Sequence, residues 1–249
     1  MTEAVPAQPA PPVTPLVAEP RWGVGDAALG WIVVQVFSQI WAVGVLGATG
    51  HLGDDFDVLP LSVVALAQLG LALAFFAVPY AVTRAKGNGL VRDLGFRARW
   101  SDAWSGGIPG VVLQIAVLPL LYWPLLELLG KSTSDLEGPA QSLGDRADGV
   151  GGALLLVLIV GVLAPIFEEL FYRGLLQGAL RKRGLSPVVA IGITSVVFGV
   201  SHLQLLQLPG LVAAGALFGV LAHRSGRLGP AIAAHVTFNM VTVVALLAS

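Results

Sequence analysis

Long apolar runs separated by short polar loops dominate the chain from about residue 27 onward. Seven such runs can be counted, and most are close to the roughly 20 residues that a membrane-spanning helix needs. They cover residues 27–49, 61–82, 108–129, 150–180, 187–203, 209–222 and 229–247. The pattern predicts an all-α fold, a polytopic transmembrane helical bundle with about seven spans.

Composition strengthens this prediction. The 249 residues are 55% hydrophobic and only 12% charged, whereas a soluble domain carries about 25% charged residues. A net charge of −1 gives no sign of a nucleic-acid partner, and the lack of cysteine excludes disulfides, thiolate metal sites and a cysteine nucleophile. The partners that we expect are the lipid bilayer and membrane-associated molecules.

The chain divides into three parts by composition. Residues 1–26 are rich in Pro and Ala, and we predict a disordered tail that either stays solvated or binds a partner. Residues 27–149 are predicted to form amino-terminal transmembrane helices, and residues 150–249 the core that carries the polar motifs. No basic segment precedes a short apolar run at the amino terminus, so no signal peptide is expected.

Basic residues alternate between the loops. The loops after the second, fourth and sixth runs contain ten Lys and Arg residues, whereas those after the first, third and fifth contain only Lys131 and Arg146. Cytoplasmic loops of membrane proteins carry the excess of Lys and Arg. We therefore expect a multi-pass integral membrane protein with a cytoplasmic amino terminus. Its compact loops and high Ala, Gly, Val and Leu content favour a bacterial inner membrane.

Three of the apolar runs contain polar side chains at membrane depth. Such groups are costly there, usually face the protein interior and usually serve a function. At about 1.5 Å per residue, Glu168, His202 and Asn239 lie about 20, 24 and 18 Å from the same side of the membrane. The runs could therefore converge on one polar site. The candidate residues are Glu168, Glu169, Arg173, Phe198, His202, His235 and Asn239.

Spacing within the helices suggests different roles for the two glutamates. Glu169 and Arg173 are four residues apart and can pair on one helix face. Glu168 is rotated by about 100° and stays free. A carboxylate in an apolar pocket suits a general base, and nearby His and Asn side chains can bind a metal, orient a water or stabilise an oxyanion. The sequence contains neither G-x-S-x-G nor H-E-x-x-H, so hydrolysis by activated water is the chemistry that it favours.

The motifs E-E-x-x-x-R, F-x-x-x-H and H-x-x-x-N occur in this order on successive apolar segments. Together they resemble the CPBP family of intramembrane metalloproteases, which includes the type II CAAX prenyl endopeptidases and bacteriocin-processing or immunity proteins. The resemblance covers residues 150–248. It implies a helical bundle with a conical cavity open to the cytoplasm or the bilayer, and an endopeptidase acting on a membrane-associated peptide or protein.

The resemblance also implies roles for single residues. Glu168 would be the base for water, assisted by His202, while His235 and Asn239 would stabilise the oxyanion or bind a metal. Glu169 and Arg173 would support the site. A divalent metal such as Zn would be bound by Glu168, His202 and His235. A CAAX substrate is implied by the family name alone.

Two other functions remain compatible with the residues. A non-catalytic regulator or immunity-type protein could retain the motif residues for packing. A transporter could use the buried Glu as a proton relay, although no internal repeat of the kind found in many transporters is visible. Substitution of Glu168 separates the enzyme from the regulator, because only the enzyme needs its carboxylate.

Overall fold

A computed structural model of the protein describes residues 19–248, so residues 1–18 of the predicted tail lie outside the described residues. The described part contains helices and no strand. The main helices are α1 (Val24–Thr49), α2 (Leu61–Lys86), α3 (Asp102–Leu129), α4 (Thr133–Gly144), α5 (Gly149–Lys182), α6 (Pro187–Ser201), α7 (Leu208–Ser225) and α8 (Gly229–Ala248). Short helical turns lie at Phe56–Val58 and Leu90–Asp93.

Six of these helices, α1, α2, α3, α5, α7 and α8, are long and apolar enough to cross a membrane. The seventh apolar helix, α6, has 15 residues, a length of about 22 Å, compared with a hydrocarbon core of about 30 Å. The all-α membrane bundle is therefore confirmed, and six long helices with α6 as a shorter seventh agree with the prediction of about seven spans. Helix α4 lies in the segment from which the sequence predicted only a polar loop. It begins after Ser132, whose backbone N–H donates to the Asp135 carboxylate at 2.9 Å.

Helix α5 carries the glutamate pair and is irregular on both sides of it. Wide π-type turns occupy Val157–Leu163 and Leu170–Gln177, with a regular helical segment at Ala164–Glu169 between them. Pro165 contributes to the irregular geometry. It has no backbone N–H, and its ring would clash with the carbonyl four residues earlier in a regular helix. Wide turns of this kind occur frequently at functional sites.

Glycines bring α3 and α8 into close contact. A methyl group at Gly106 would overlap the carbonyl of Pro230, and one at Gly110 would overlap the carbonyl of Ala234. Both backbones can approach this closely only because the side chains are missing, as in other small-residue contacts between membrane helices. The contact fixes the position of α8, on which the residue after Ala234 is His235.

A second pair of glycines packs α7 against α5 and α6. A Cβ at Gly215 would lie 2.9 Å from the Cα of Ser195. The carbonyl of Gly215 accepts a hydrogen bond from Arg173 Nη2 at 3.0 Å, and that of Gly219 accepts one from Gln177 Nε2 at 3.1 Å. These two bonds, one helical turn apart, attach the buried polar face of α5 to the backbone of α7.

The end of the bundle that carries the basic loops is tied together by side chains from distant segments. Trp22, just before α1, is buried and its Nε1 donates to Asp93 at 3.0 Å. Lys182 at the end of α5 donates to the Trp22 carbonyl at 2.6 Å and lies 4.0 Å from the Trp22 ring. Arg227 pairs with Asp102, which joins α3 to the turn between α7 and α8.

Candidate active site

The glutamate pair of α5 lies at the centre of the bundle, and Glu169 is its buried member. Arg173 Nη1 donates to Glu169 Oε1 at 2.8 Å, and His235 Nδ1 lies 2.9 Å from the same oxygen. The side chains of Glu169 and Arg173 are both fully buried. A buried charge needs a partner of opposite sign and additional hydrogen bonds. Arg173 supplies the charge, and His235 supplies a further hydrogen bond from α8.

Two phenylalanines surround this ion pair. The Arg173 guanidinium lies 4.6 Å from the centre of the Phe198 ring and 5.3 Å from that of Phe218. His235 stacks on Phe218 with 4.6 Å between ring centres and an angle of 21°. Cation–π contacts of this kind stabilise a desolvated guanidinium. The aromatic rings therefore hold Arg173 and His235 in fixed orientations below the adjacent Glu168.

The hydrogen bond to Glu169 determines which nitrogen of His235 is available. A carboxylate paired with Arg only accepts hydrogen bonds, so His235 Nδ1 carries the proton. In the neutral ring Nε2 then has a free lone pair. It lies 3.9 Å from Glu168 Oε2, too far for a direct hydrogen bond. Glu168 accepts no hydrogen bond from the described part of the chain, so its carboxylate is free for a water molecule or a substrate.

His202 lies at the carboxyl end of α6, and its tautomer is determined in the same way. Its Nδ1 lies 2.8 Å from the carbonyl oxygen of Phe198, which can only accept, so Nε2 is again the free nitrogen. The next residue, Leu203, has a φ of +56°. A left-handed leucine is uncommon and occurs where the surrounding structure imposes it. The chain turns sharply here, directly after the imidazole.

Asn239 lies one helical turn beyond His235 on α8. Its Nδ2 donates to the carbonyl of Val160 at 2.8 Å. Val160 belongs to the wide turn of α5, where the regular hydrogen-bond pattern is interrupted, and Asn239 supplies a donor to that backbone. One of the two amide N–H groups is used in this bond, so the other is available to a ligand.

These residues share one cavity of about 440 Å³. Glu168, His202, His235 and Asn239 all line it, and Phe198 forms part of its wall. Glu169 and Arg173 lie beneath it, away from its surface. All candidates named from the sequence therefore lie in or directly under a single cavity at the centre of the bundle.

Sequence reasoning missed several residues of the cavity wall. They are Gln35, Gln68, Tyr172, Ser201, Gln204, Gln207, Phe218 and Thr242. The amides of Gln35 and Gln68 were detectable, because each lies near the middle of an apolar run. Tyr172 and Phe218 carry no such signal, since an aromatic residue in a membrane helix is more often part of the core or the lipid-facing surface.

The ligand set predicted for a metal was Glu168, His202 and His235. His202 and His235 each have a free Nε2, the atom that a metal would bind. Glu168 Oε2 and His235 Nε2 lie 3.9 Å apart. In the described residues, however, no three His, Cys, Asp or Glu side chains are grouped closely enough to hold a metal ion. The three side chains therefore do not form a ready metal site in this arrangement, and the metal stays a prediction.

The carboxyl-terminal part of the chain is similar to known proteins. Residues 150–241 match the family described as type II CAAX prenyl endopeptidase Rce1-like, which confirms the predicted resemblance. A Bacillus subtilis (strain 168) protein named "Putative membrane peptidase YdiL" is 31% identical over 90 residues. The match covers 36% of this chain and 36% of the relative's length. No solved structure matches.

Proposed function

We propose that the protein is an intramembrane endopeptidase, because residues 150–241 match the Rce1-like family. It hydrolyses a peptide bond of a membrane-associated substrate with water activated by Glu168. The observation that carries the proposal is the unequal environment of the glutamate pair. Glu169 is held by Arg173 and His235, whereas the neighbouring Glu168 is free and faces the cavity.

The attack step uses the free carboxylate. Glu168 accepts a proton from a water molecule while the water oxygen bonds to the carbonyl carbon of the substrate. The second O–H group of this water can donate a hydrogen bond to the free Nε2 of His202 or of His235, which orients the water. The product of this step is a tetrahedral intermediate with a negative oxygen and a protonated Glu168.

The intermediate then needs hydrogen-bond donors and a proton for the leaving group. The second N–H of Asn239 can donate to the oxyanion, as amide side chains do in oxyanion holes. When the carbon–nitrogen bond breaks, the proton on Glu168 passes to the leaving amine, and Glu168 is ready for another cycle. If a divalent ion is bound, Glu168, His202 and His235 would hold it, and it would supply Lewis-acid activation of water.

Substitution of Glu168 tests the proposal even before a substrate is identified. Glu168→Gln keeps the shape of the side chain and removes its basicity. Membranes from cells producing the wild type and the variant would be compared by mass spectrometry of protein amino termini. We expect new amino termini in the wild type that are lost in Glu168→Gln.

The matched control is Glu127→Gln, which makes the same chemical change at an exposed position near the end of α3. It should leave the new amino termini unchanged. If Glu168→Gln folds normally and produces the same termini as the wild type, the protein does not use Glu168 for catalysis. A phenotype retained in that variant would then favour the non-catalytic regulator.

A further inference from the structure

The cavity extends toward one end of the bundle only. Besides the long membrane helices, its walls include α4, through Pro139, Ala140 and Leu143, and the loop after α6, through Gln204 and Gln207. These segments lie at the end of the bundle opposite the basic loops. No residue of the loops at 87–101, 183–186 or 226–228 lines it.

Toward the basic loops, the cavity is closed by buried side chains. Below Glu169 and Arg173, α5 continues with Leu175 and Ala179, each with no exposed surface. Trp22, 3% exposed, and Leu228, 2% exposed, belong to the same core cluster. Among the described residues, this packed layer therefore separates Glu168 from the basic end.

The short helix α6 explains how the cavity reaches the other end. Its 15 residues cover about 22 Å, so α6 ends within the membrane and His202 lies at its end. The loop 202–207 follows at that depth. Irregular backbone at membrane depth is tolerated only where it is buried in protein or lines a water-filled cavity. Both Gln204 and Gln207 line the cavity here.

The two ends of the bundle differ strongly in charge. The end opposite the cavity carries eleven of the 14 Lys and Arg residues, at positions 21, 84, 86, 92, 97, 99, 181, 182, 183, 224 and 227. The cavity end carries two, Lys131 and Arg146, and eight of the 15 Asp and Glu residues, at positions 54, 55, 57, 127, 135, 137, 145 and 148. By the positive-inside rule the basic end is cytoplasmic. The resemblance implied a cavity open to the cytoplasm or to the bilayer. A cytoplasmic amino terminus and a cavity open to the cytoplasm are incompatible in this fold.

We propose that the cavity opens to the extracytoplasmic face of the membrane. The substrate is then a membrane-associated polypeptide whose scissile bond lies in an extracytoplasmic segment or in the outer leaflet. This substrate class rests on the proposed proteolytic function, whereas the direction of opening does not. The acidic loops around the mouth of the cavity face the same compartment as the substrate.

The direction of opening can be tested directly, because the chain contains no cysteine. Single cysteines would be introduced by Gln204→Cys in the cavity wall and Asp145→Cys after α4. The matched control is Arg183→Cys, in the exposed loop after α5. Each variant would be treated with a membrane-impermeant maleimide in spheroplasts and in inside-out vesicles. Labelling in detergent shows that the cysteine is reactive.

We expect Gln204→Cys and Asp145→Cys to be labelled in spheroplasts, and Arg183→Cys only in inside-out vesicles. The reverse pattern, or equal labelling from both sides, overturns the proposal. The substrate class is checked by the amino termini that depend on Glu168, which should map to extracytoplasmic segments. If they map to cytoplasmic segments, the substrate class is wrong. If none are found, the proteolytic function fails while the labelling still decides the direction of opening.

Discussion

His235 and Glu169 are linked across the bundle by a single hydrogen bond of 2.9 Å between Nδ1 and Oε1. The same carboxylate oxygen binds Arg173 at 2.8 Å. This bond joins α8 to α5 and leaves His235 Nε2 directed toward Glu168. The buried glutamate therefore determines the orientation and the tautomer of the histidine, and the free glutamate is left for chemistry.

Substitutions of the two adjacent glutamates should affect stability and cleavage differently. Glu169→Gln leaves the Arg173 charge buried without a counterion, which should lower the free energy of unfolding by about 3–5 kcal/mol. Glu168→Gln should leave the melting temperature close to that of the wild type and remove cleavage. Both can be measured in mild detergent by the fluorescence of the six tryptophans during heating. Equal destabilisation by the two substitutions would contradict the different roles.

A double substitution checks the cause of that destabilisation. In Glu169→Gln with Arg173→Met, the buried charge is removed together with its partner. The double variant leaves no uncompensated charge buried, which is the main cost of breaking a buried ion pair, so we expect it to melt above Glu169→Gln alone. The double variant should be inactive, because His235 is no longer held by a carboxylate. A double variant that melts at or below the single one would point to lost packing instead.

Much of this site could be predicted from the sequence because its signals are local. An ionisable residue in an apolar run is easily recognised, and the separation of four residues between Glu169 and Arg173 translates directly into a contact on one helix face. The convergence of Glu168, His202 and Asn239 followed from a count of residues along each helix. The rise per residue is nearly the same in regular helices, so the count gives an approximate depth when the helices have similar tilts.

The direction of the cavity could not be predicted, because it depends on contacts between distant segments. The short length of α6 and the position of α4 decide which end is open. Hydrophobicity alone predicted one apolar run through residue 203, and so it did not show where α6 ends. The contact of Gly110 with Ala234 is likewise invisible in the sequence, where Gly110 is one of 31 glycines. The capping sequence at Ser132 was the available signal for α4.

Leu203 gives a prediction about the loop that follows His202. Its φ of +56° costs a residue with a side chain about 1 kcal/mol, and its side chain is 82% exposed. Leu203→Gly should therefore keep the stability within about 1 kcal/mol of the wild type and retain cleavage. Leu203→Val places a β-branched residue in the same conformation, so we expect lower stability and weaker cleavage. Similar behaviour of the two variants in melting and cleavage would show that the turn is not strained.

The glycine contact between α3 and α8 gives a prediction about the position of His235. Gly110→Ala introduces a methyl group against the Ala234 carbonyl, and α8 must move away with His235. Overpacking of this kind costs about 1–3 kcal/mol, and cleavage should fall with it. Gly44→Ala on α1 is the control, because nothing lies within 4 Å of its Cβ position. It should leave melting temperature and cleavage unchanged, and an equal loss in both variants would rule out a specific effect on α8.

Metal analysis of the purified protein tests the predicted ligand set. A divalent ion held by Glu168, His202 and His235 should be found at about one per chain in protein prepared without chelators. It should be lost in His202→Ala and in His235→Ala, because three protein ligands are typical of a catalytic zinc site. The control is His223→Ala, which removes an exposed histidine at the end of α7, and its metal content should match the wild type. Metal retained in His202→Ala would contradict this ligand set. A wild type without metal that still shows cleavage dependent on Glu168 would assign activation of the water to Glu168 and His202 alone.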